Sequence, residues 1–202
     1  NRLPRMVRDI SIQLGKKVQL EVSGESTELD KTVMEKISDP MVHLIRNALD
    51  HGIEMPAQRI AAGKPEMGTI SLKAFHQGGS IVIEMTDDGG GIDTERLLAK
   101  ARKNGLVGES EQLTQEQKLE LLFTPGLSTV EQVSDLSGRG VGMDVVRRNI
   151  QELNGSVEIS SEVGVGSAFR IRLPLTLAIL DGQLVTVADQ TYIFPLVSIS
   201  ES

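Results

Sequence analysis

The sequence predicts an α+β fold in which helices pack on one face of a mixed β-sheet. Three observations carry this. Segments of helical and of strand periodicity follow one another without regular strand-helix-strand alternation. Two strands, Ile70/Leu72/Ala74 and Ile81/Ile83/Met85, are joined across Gln77-Gly78-Gly79, the tight turn of an antiparallel hairpin. The chain of 202 residues carries 20 Gly, about a tenth of its length against a usual ~7%, and they cluster at element ends.

The elements follow in order. Met6, Val7, Ile10 and Leu14 recur at helical spacing before Gly15, and Val18, Leu20 and Val22 then alternate as in a strand. Ser38-Asp39-Pro40 supplies an N-cap candidate and a first-turn proline, so a helix is predicted near Pro40 to His51, with any helix over Lys31 to Ile37 separate from it or kinked against it. After the hairpin, Asp93 caps a helix running to Asn104, with Leu97, Leu98 and Ala101 inward and Gly105 at its end. Thr114-x-x-Gln117 opens another helix over Gln115 to Phe123 with a capping box. From Thr124 to Gly142 periodicity gives way to Pro, Gly, Ser and Thr, a long loop of the kind that is usually functional or disordered. Asp144 to Asn154 reads as a helix closed by Gly155, and strands follow at Val157 to Ser161 and Ala168 to Leu173. Pro174 ends the last of them, and residues 174–202 read as a linker plus the start of a second, truncated β domain with strands at Leu184 to Val187 and Tyr192 to Phe194.

Composition excludes several functions. With 21 Lys+Arg against 28 Asp+Glu the net charge is −7 and no basic run breaks the mixture, so nucleic acid is not an expected partner. Four Phe and one Tyr are too few for a single-strand stacking platform. No cysteine is present, which excludes thiolate chemistry and disulfides and fits a reducing, cytoplasmic setting. The longest apolar stretches, such as Leu175 to Leu180, are far short of the roughly 18 residues of a membrane helix.

Three segments are candidates for chemistry. Projected at 100° per residue, Arg46, Asn47, Asp50 and His51 fall within about 80° of His43, while Met41, Leu44, Ile45 and Ala48 lie opposite. His, Asn and Asp form helices poorly but have defined donor and acceptor geometry, although an ordinary solvated face gives the same stripe. Asp87-Asp88-Gly89-Gly90-Gly91 follows an alternating strand, so it places a carboxylate at the sheet's end where a ligand can approach bare backbone; an ordinary glycine turn reads the same way. Gly138-Arg139-Gly140-Val141-Gly142 precedes a helix, and its amides with the helix N-terminus suit an anion, though the spacing is neither that of a Walker loop nor of a dinucleotide fingerprint. Gly164-Val165-Gly166-Ser167 between two strands is weaker.

The order of these segments is more specific than any one of them. It resembles the N, G1, F, G2 and G3 boxes of the ATP-binding superfamily of gyrase, heat-shock chaperones, histidine kinases and MutL-type repair proteins. His43-Leu-Ile-Arg-Asn47-Ala-Leu-Asp-His51-Gly52, Phe123-Thr-Pro-Gly126 and Ser137-Gly-Arg-Gly-Val-Gly-Met-Asp144 look most like the catalytic domain of the CheA family of bacterial chemotaxis histidine kinases. The resemblance covers about Pro4 to Leu173, and Leu173-Pro-Leu-Thr-Leu-Ala-Ile179 is similar to the family's passage into a CheW-like regulatory domain.

The resemblance implies a two-layer α/β sandwich of the Bergerat type, an ATP-binding domain over residues 1–173, and ATP lying between the helix layer and a lid. Asp87 would receive the adenine amino group, with Gly89 and Gly91 shaping that pocket, and Asn47 would ligand Mg²⁺ through its amide oxygen. Gly138, Gly140 and Gly142 would wrap the triphosphate, with Arg46 and His51 lining its approach. Asp50, Phe123, Ser137, Val141, Met143 and Ser167 also fall at the nucleotide site. No Lys or Arg lies between Phe123 and Arg139, so Arg139 alone supplies a charged phosphate contact from the lid. His43 stands where gyrase-like members carry a water-activating glutamate, which favours phosphotransfer over hydrolysis. The implied activity is transfer of the ATP γ-phosphate to a histidine on a phosphotransfer domain, in trans within a homodimer. Implied partners of the full-length protein are a CheW-type adaptor, chemoreceptors and response regulators. The alternative is an ATP-hydrolysing or non-catalytic nucleotide-switch module of the same superfamily.

Overall fold

The computed structural model describes residues 2–24, 31–127, 142–174, 182–187 and 190–195. Helix α1 (Arg2–Leu14) leads into β1 (Val18–Gly24), and α2 (Lys31–Asn47) runs into a π-helical turn, Ala48–Gly52. Short helix α3 (Pro56–Ala61) precedes the hairpin of β2 (Gly68–Gln77) and β3 (Ser80–Asp87). Then come α4 (Thr94–Lys103), α5 (Gln115–Glu120) with a 3₁₀ turn at Leu121–Phe123, α6 (Met143–Gln151), β4 (Ser156–Glu162) and β5 (Gly166–Pro174). The sheet order is β1-β2-β3-β5-β4, with β1 parallel to β2 and every other pair antiparallel. A separate antiparallel pair, β6 (Gly182–Val187) and β7 (Gln190–Pro195), falls where the two late strands are expected.

Register explains which face is buried. Ile70, Leu72 and Ala74 on β2 share a face with Ile81, Ile83 and Met85 on β3, Phe169, Ile171 and Leu173 on β5, and Val157 and Ile159 on β4. Onto that face pack Val7 of α1, Ile37, Met41, Leu44 and Ile45 of α2, Ala48 and Leu49 of the π turn, and Met143, Val146 and Ile150 of α6. The opposite face is mostly polar, with Glu84 paired to Arg170, and carries Phe75, Val82 and Ala168 as its apolar members. Val82 is fully buried, standing in register between Phe75 and Arg172.

Several predicted features hold and four change. The Gly78 and Gly79 turn has both residues at positive φ, as a two-residue hairpin requires. Asp93 caps α4, and Thr114 and Gln117 form the reciprocal capping box of α5. Pro40, however, lies inside α2 instead of starting a helix. Losing its backbone N–H costs about 3 kcal/mol, but Ile37, Met41, Leu44 and Ile45 are all buried on the same helix, and each contributes about 1.5–3 kcal/mol. Packing therefore outweighs the break. Helix α6 is closed by Asn154 at φ 55°, a residue that tolerates the left-handed region, not by Gly155. Gly155 serves close approach, since a β-carbon there would lie 2.7 Å from Leu173 Cδ2 and 2.8 Å from the Arg172 carbonyl oxygen. Helix α3 has no counterpart in the predicted elements, being six residues with one buried side chain, Arg59.

The fourth change concerns the long loop. Leu127, which falls within the predicted loop, is fully buried in a second cluster with Leu97, Leu98, Ala101 and Val107. The segment up to Leu127 is thus part of the packed body, and residues 128–141 lie outside the described residues. Among the described residues no helix is long and apolar enough to cross a membrane.

Candidate functional site

The stripe Ile81, Ile83, Met85 continues by the same period-2 rule to Asp87, so the strand aims a carboxylate where its predecessors aim aliphatic groups, toward the helix layer. Its register neighbours are Ile70 on one side and Ser167 on the other. Asp87 is only 8% exposed. Burial pushes its carboxyl up to about 6, the nearby carboxylates of Asp88 and Glu54 push the same way, and backbone amides of Gly89 and Ser167 oppose them. The Gly89 N–H donates to Asp87 Oδ1 at 3.0 Å.

Bare backbone surrounds this carboxylate. A β-carbon on Gly89 would stand 2.2 Å from the Gly52 carbonyl oxygen, and one on Gly166 would stand 2.0 Å from the Asp87 carbonyl oxygen. Gly91 has φ +74°, and a β-carbon there would meet the Glu162 carbonyl oxygen at 2.3 Å. The Gly90 N–H donates to the Gly52 carbonyl at 2.9 Å, which ties the strand-end loop to the helix layer. Ser167 is buried, with its hydroxyl 3.1 Å from that of Ser161.

The helix side of the site begins at Asn47, the last residue of α2. Its Nδ2 donates to Met143 Sδ at 3.1 Å, a weak acceptor, so the amide exchanges this partner at little cost. Beyond Asn47 the wide turn, closed by Ile53 N–H to the Ala48 carbonyl at 2.8 Å, ends the 100° projection. The predicted single stripe is therefore divided: His43, Arg46 and Asn47 are half-buried on α2, whereas Asp50 and His51 are exposed on the π turn. Met41, Leu44, Ile45 and Ala48 are buried as expected.

The His43 pKa is lowered: burial contributes most, Arg46 lowers it further, and Asp144 and Asp50 act in the opposite direction. Phe123 is buried under the Arg147 guanidinium, which lies 3.7 Å from its ring centroid and pairs with Glu120 at 2.6 Å. Gly142 is the N-cap of α6 and Met143 is buried behind it. Ser137, Gly138, Arg139, Gly140 and Val141 lie outside the described residues.

Four charged residues at this site have no sequence signal of their own. Lys16 Nζ donates to the Leu49 and Asp50 carbonyls at 2.5 and 2.9 Å, oxygens that the wide π turn leaves to an outside donor. Arg59, fully buried, pairs with Glu54 at 3.0 Å and Asp88 at 2.9 Å. Lys64 pairs with Glu54 at 2.8 Å. Among the described residues no group of three or more His, Asp or Glu gathers as a metal site. A lone amide such as Asn47 fits an ion that brings most of its oxygen ligands with it, as Mg²⁺ does on a triphosphate.

A five-strand mixed sheet under helices is an α/β sandwich of the histidine kinase and ATPase type. In fold it matches the Acinetobacter baumannii histidine kinase AdeS with TM-score 0.52 at 18% identity, covering 87% of this chain and 62% of that one. Residues 36–177 match the model of the histidine kinase-, DNA gyrase B- and HSP90-like ATPases, and the chain belongs to that family. It is 56% identical over 202 residues to the chemotaxis protein CheA of Salmonella typhimurium and 48% identical over 204 residues to that of Bacillus subtilis. Both alignments take in the whole of this chain, which spans 30% of each relative's length.

One expected outcome follows from the Asp87 environment. Its carboxyl ionises near 3.8 in an unfolded chain and at about 6 in the folded one, so in between the folded state keeps a proton that the unfolded state has lost. Stability from this group is full below about pH 4 and is lost as pH rises through 6, an amount on the order of 2–3 kcal/mol. Urea unfolding of wild type and Asp87→Asn at about pH 4.5 and 7.5 reads this directly. The variant should gain relative to wild type at the higher pH, and an equal gap at both would contradict the assignment.

Proposed function

We propose that this chain is the ATP-binding catalytic domain of a chemotaxis histidine kinase, passing the ATP γ-phosphate to a histidine on a separate phosphotransfer domain, in trans within a dimer. The observation that carries this reading is Asp87: a buried acceptor at a strand end, approached over glycine backbone and lying beside Gly52, the end of the π turn that follows Asn47. Asp87 takes the adenine amino group, and the flat ring fits where Gly89, Gly91 and Ser167 keep side chains small. Asn47 contributes its amide oxygen to the Mg²⁺ that travels with the triphosphate. Met143 and Gly142 lead into Ser137 to Val141, whose Gly138 and Gly140 amides and Arg139 guanidinium meet the phosphates. Asp50, Arg46 and His51 line the approach, and Phe123 anchors the near end of the lid.

The acceptor imidazole, with an ordinary pKa of about 6.5, is already nucleophilic at neutral pH, so the transfer depends on alignment and charge neutralisation more than on base catalysis. His43, half-buried four residues before Asn47 and with its pKa lowered by burial, is suited to orient that acceptor. Residues 174–202 comprise a linker and the truncated start of a CheW-like regulatory β domain. The full-length protein works in the cytoplasm beside chemoreceptors, a CheW-type adaptor and response regulators.

Asn47→Ala should abolish most of the gain that Mg²⁺ gives to ATP binding while changing metal-free ADP affinity less than twofold; calorimetry with and without the ion measures both. An unaltered Mg²⁺ response would remove Asn47 from the metal.

His43→Gln should bind ATP within about twofold of wild type yet transfer labelled γ-phosphate to an added phosphotransfer domain at least about tenfold more slowly. Wild-type transfer rates in the variant would make His43 structural, and release of labelled phosphate to water in place of transfer would favour the ATPase alternative.

A further inference from the structure

The loop behind Asp87 is gripped from below by two cations that the nucleotide reading leaves unused. Lys64 Nζ has three N–H donors and three acceptors around it: Glu54 Oε1 at 2.8 Å, the Asp88 carbonyl at 3.0 Å and the Gly89 carbonyl at 2.6 Å. Arg59 Nη1 donates to the same Asp88 carbonyl at 3.0 Å, its Nη2 holds Asp88 Oδ2, and its Nε is satisfied by the Pro65 carbonyl at 2.8 Å. Asp88 Oδ1 accepts from the Thr69 N–H at 2.8 Å. Two cations and two carboxylates thus close a neutral cluster under the strand end. Burial pushes the Glu54 carboxyl up, but hydrogen bonds, chiefly from Lys64, outweigh it and hold it below the usual range.

The Asp88–Gly89 peptide joins this cluster to Asp87. Its carbonyl points at Lys64 and Arg59, and its N–H points at Asp87 Oδ1. A peptide is planar, so fixing the carbonyl fixes the N–H direction. Polarising the carbonyl with two cations also strengthens the N–H as a donor. The peptide has no room to retreat, because the Gly52 carbonyl lies directly behind Gly89.

We propose that Lys64, backed by Arg59, is a positioning residue for adenine recognition: it locks the Asp88–Gly89 peptide, whose N–H holds Asp87 Oδ1 and so fixes how the carboxylate meets the ligand. This rests on the reading of Asp87 as the adenine acceptor. Arg59 is fully buried and its loss would strike the fold, whereas the Lys64 side chain is 15% exposed and its partners are all on the loop or on Glu54. Lys64 is therefore the residue to test.

The test compares ATP with purine ribonucleoside triphosphate, which lacks the amino group, on the 202-residue chain with Mg²⁺ by calorimetry. In Lys64→Met, ATP affinity should fall about tenfold, while affinity for the amino-free nucleotide changes less than twofold. Lys64→Gln, which keeps part of the donor set and serves should the Met variant not fold, should show an intermediate preference. An equal loss for both nucleotides would mean that Lys64 merely supports the site as a whole, and unchanged affinity for both would mean that it does nothing there; either result overturns the proposal. A wild type that binds the two nucleotides equally would remove Asp87 from adenine recognition and the proposal with it, which separates failure of the underlying reading from failure of Lys64 alone.

Discussion

The site depends on the approach of two backbones, Gly89 at the end of the hairpin and Gly52 at the end of the π turn. No side chain fits between them, since any β-carbon on Gly89 would stand 2.2 Å from the Gly52 carbonyl oxygen. That contact sets the distance between sheet and helix layer at the strand end, and the bond from Gly90 N–H to the same oxygen closes it. The wide turn of Ala48–Gly52 is what carries Gly52 across to the sheet, and Lys16 holds it by taking two of its carbonyls. Asp87 is buried because this junction closes over it.

Burying a carboxylate among aliphatic neighbours is costly, and the protein moderates the cost in two ways. Asp87 receives the Gly89 amide, and the charged groups beneath it are balanced within the Arg59, Lys64, Glu54 and Asp88 cluster. Asp87 remains the exception, with its carboxyl raised to about 6. The two backbone amides do not offset the burial, so a further donor to this carboxylate would be favourable, as the proposed recognition of an amino group requires.

Much of the architecture was legible in the chain because its signals are local. The β2–β3 hairpin, the Asp93 cap, the Thr114 capping box and the period-2 stripe ending in Asp87 each need only a few neighbouring residues. What escaped depends on tertiary contacts. Pro40 reads locally as a helix start and lies within α2 because the sheet beneath rewards an unbroken apolar face. The π turn displaces Asp50 and His51 from the stripe, and nothing in Ala48–Gly52 alone announces it. Arg59 and Lys64 sit in a segment with no periodicity, and they acquire meaning only when Asp88 is brought to them by the end of β3. Leu127 was assigned to the loop by its Pro, Gly and Ser neighbours, yet it packs against α4.

The central claim is that Asp87 is a ligand acceptor built into the core stripe. Titration of its carboxyl carbon by NMR, in the 202-residue chain with and without saturating ADP, tests it most directly. Without nucleotide the midpoint should lie at about 6. An amino group donating to the carboxylate favours the ionised form, so with ADP the midpoint should fall to the ordinary range of about 4 or below, and ADP affinity should rise with pH through 6. A midpoint unmoved by saturating ADP would contradict the account.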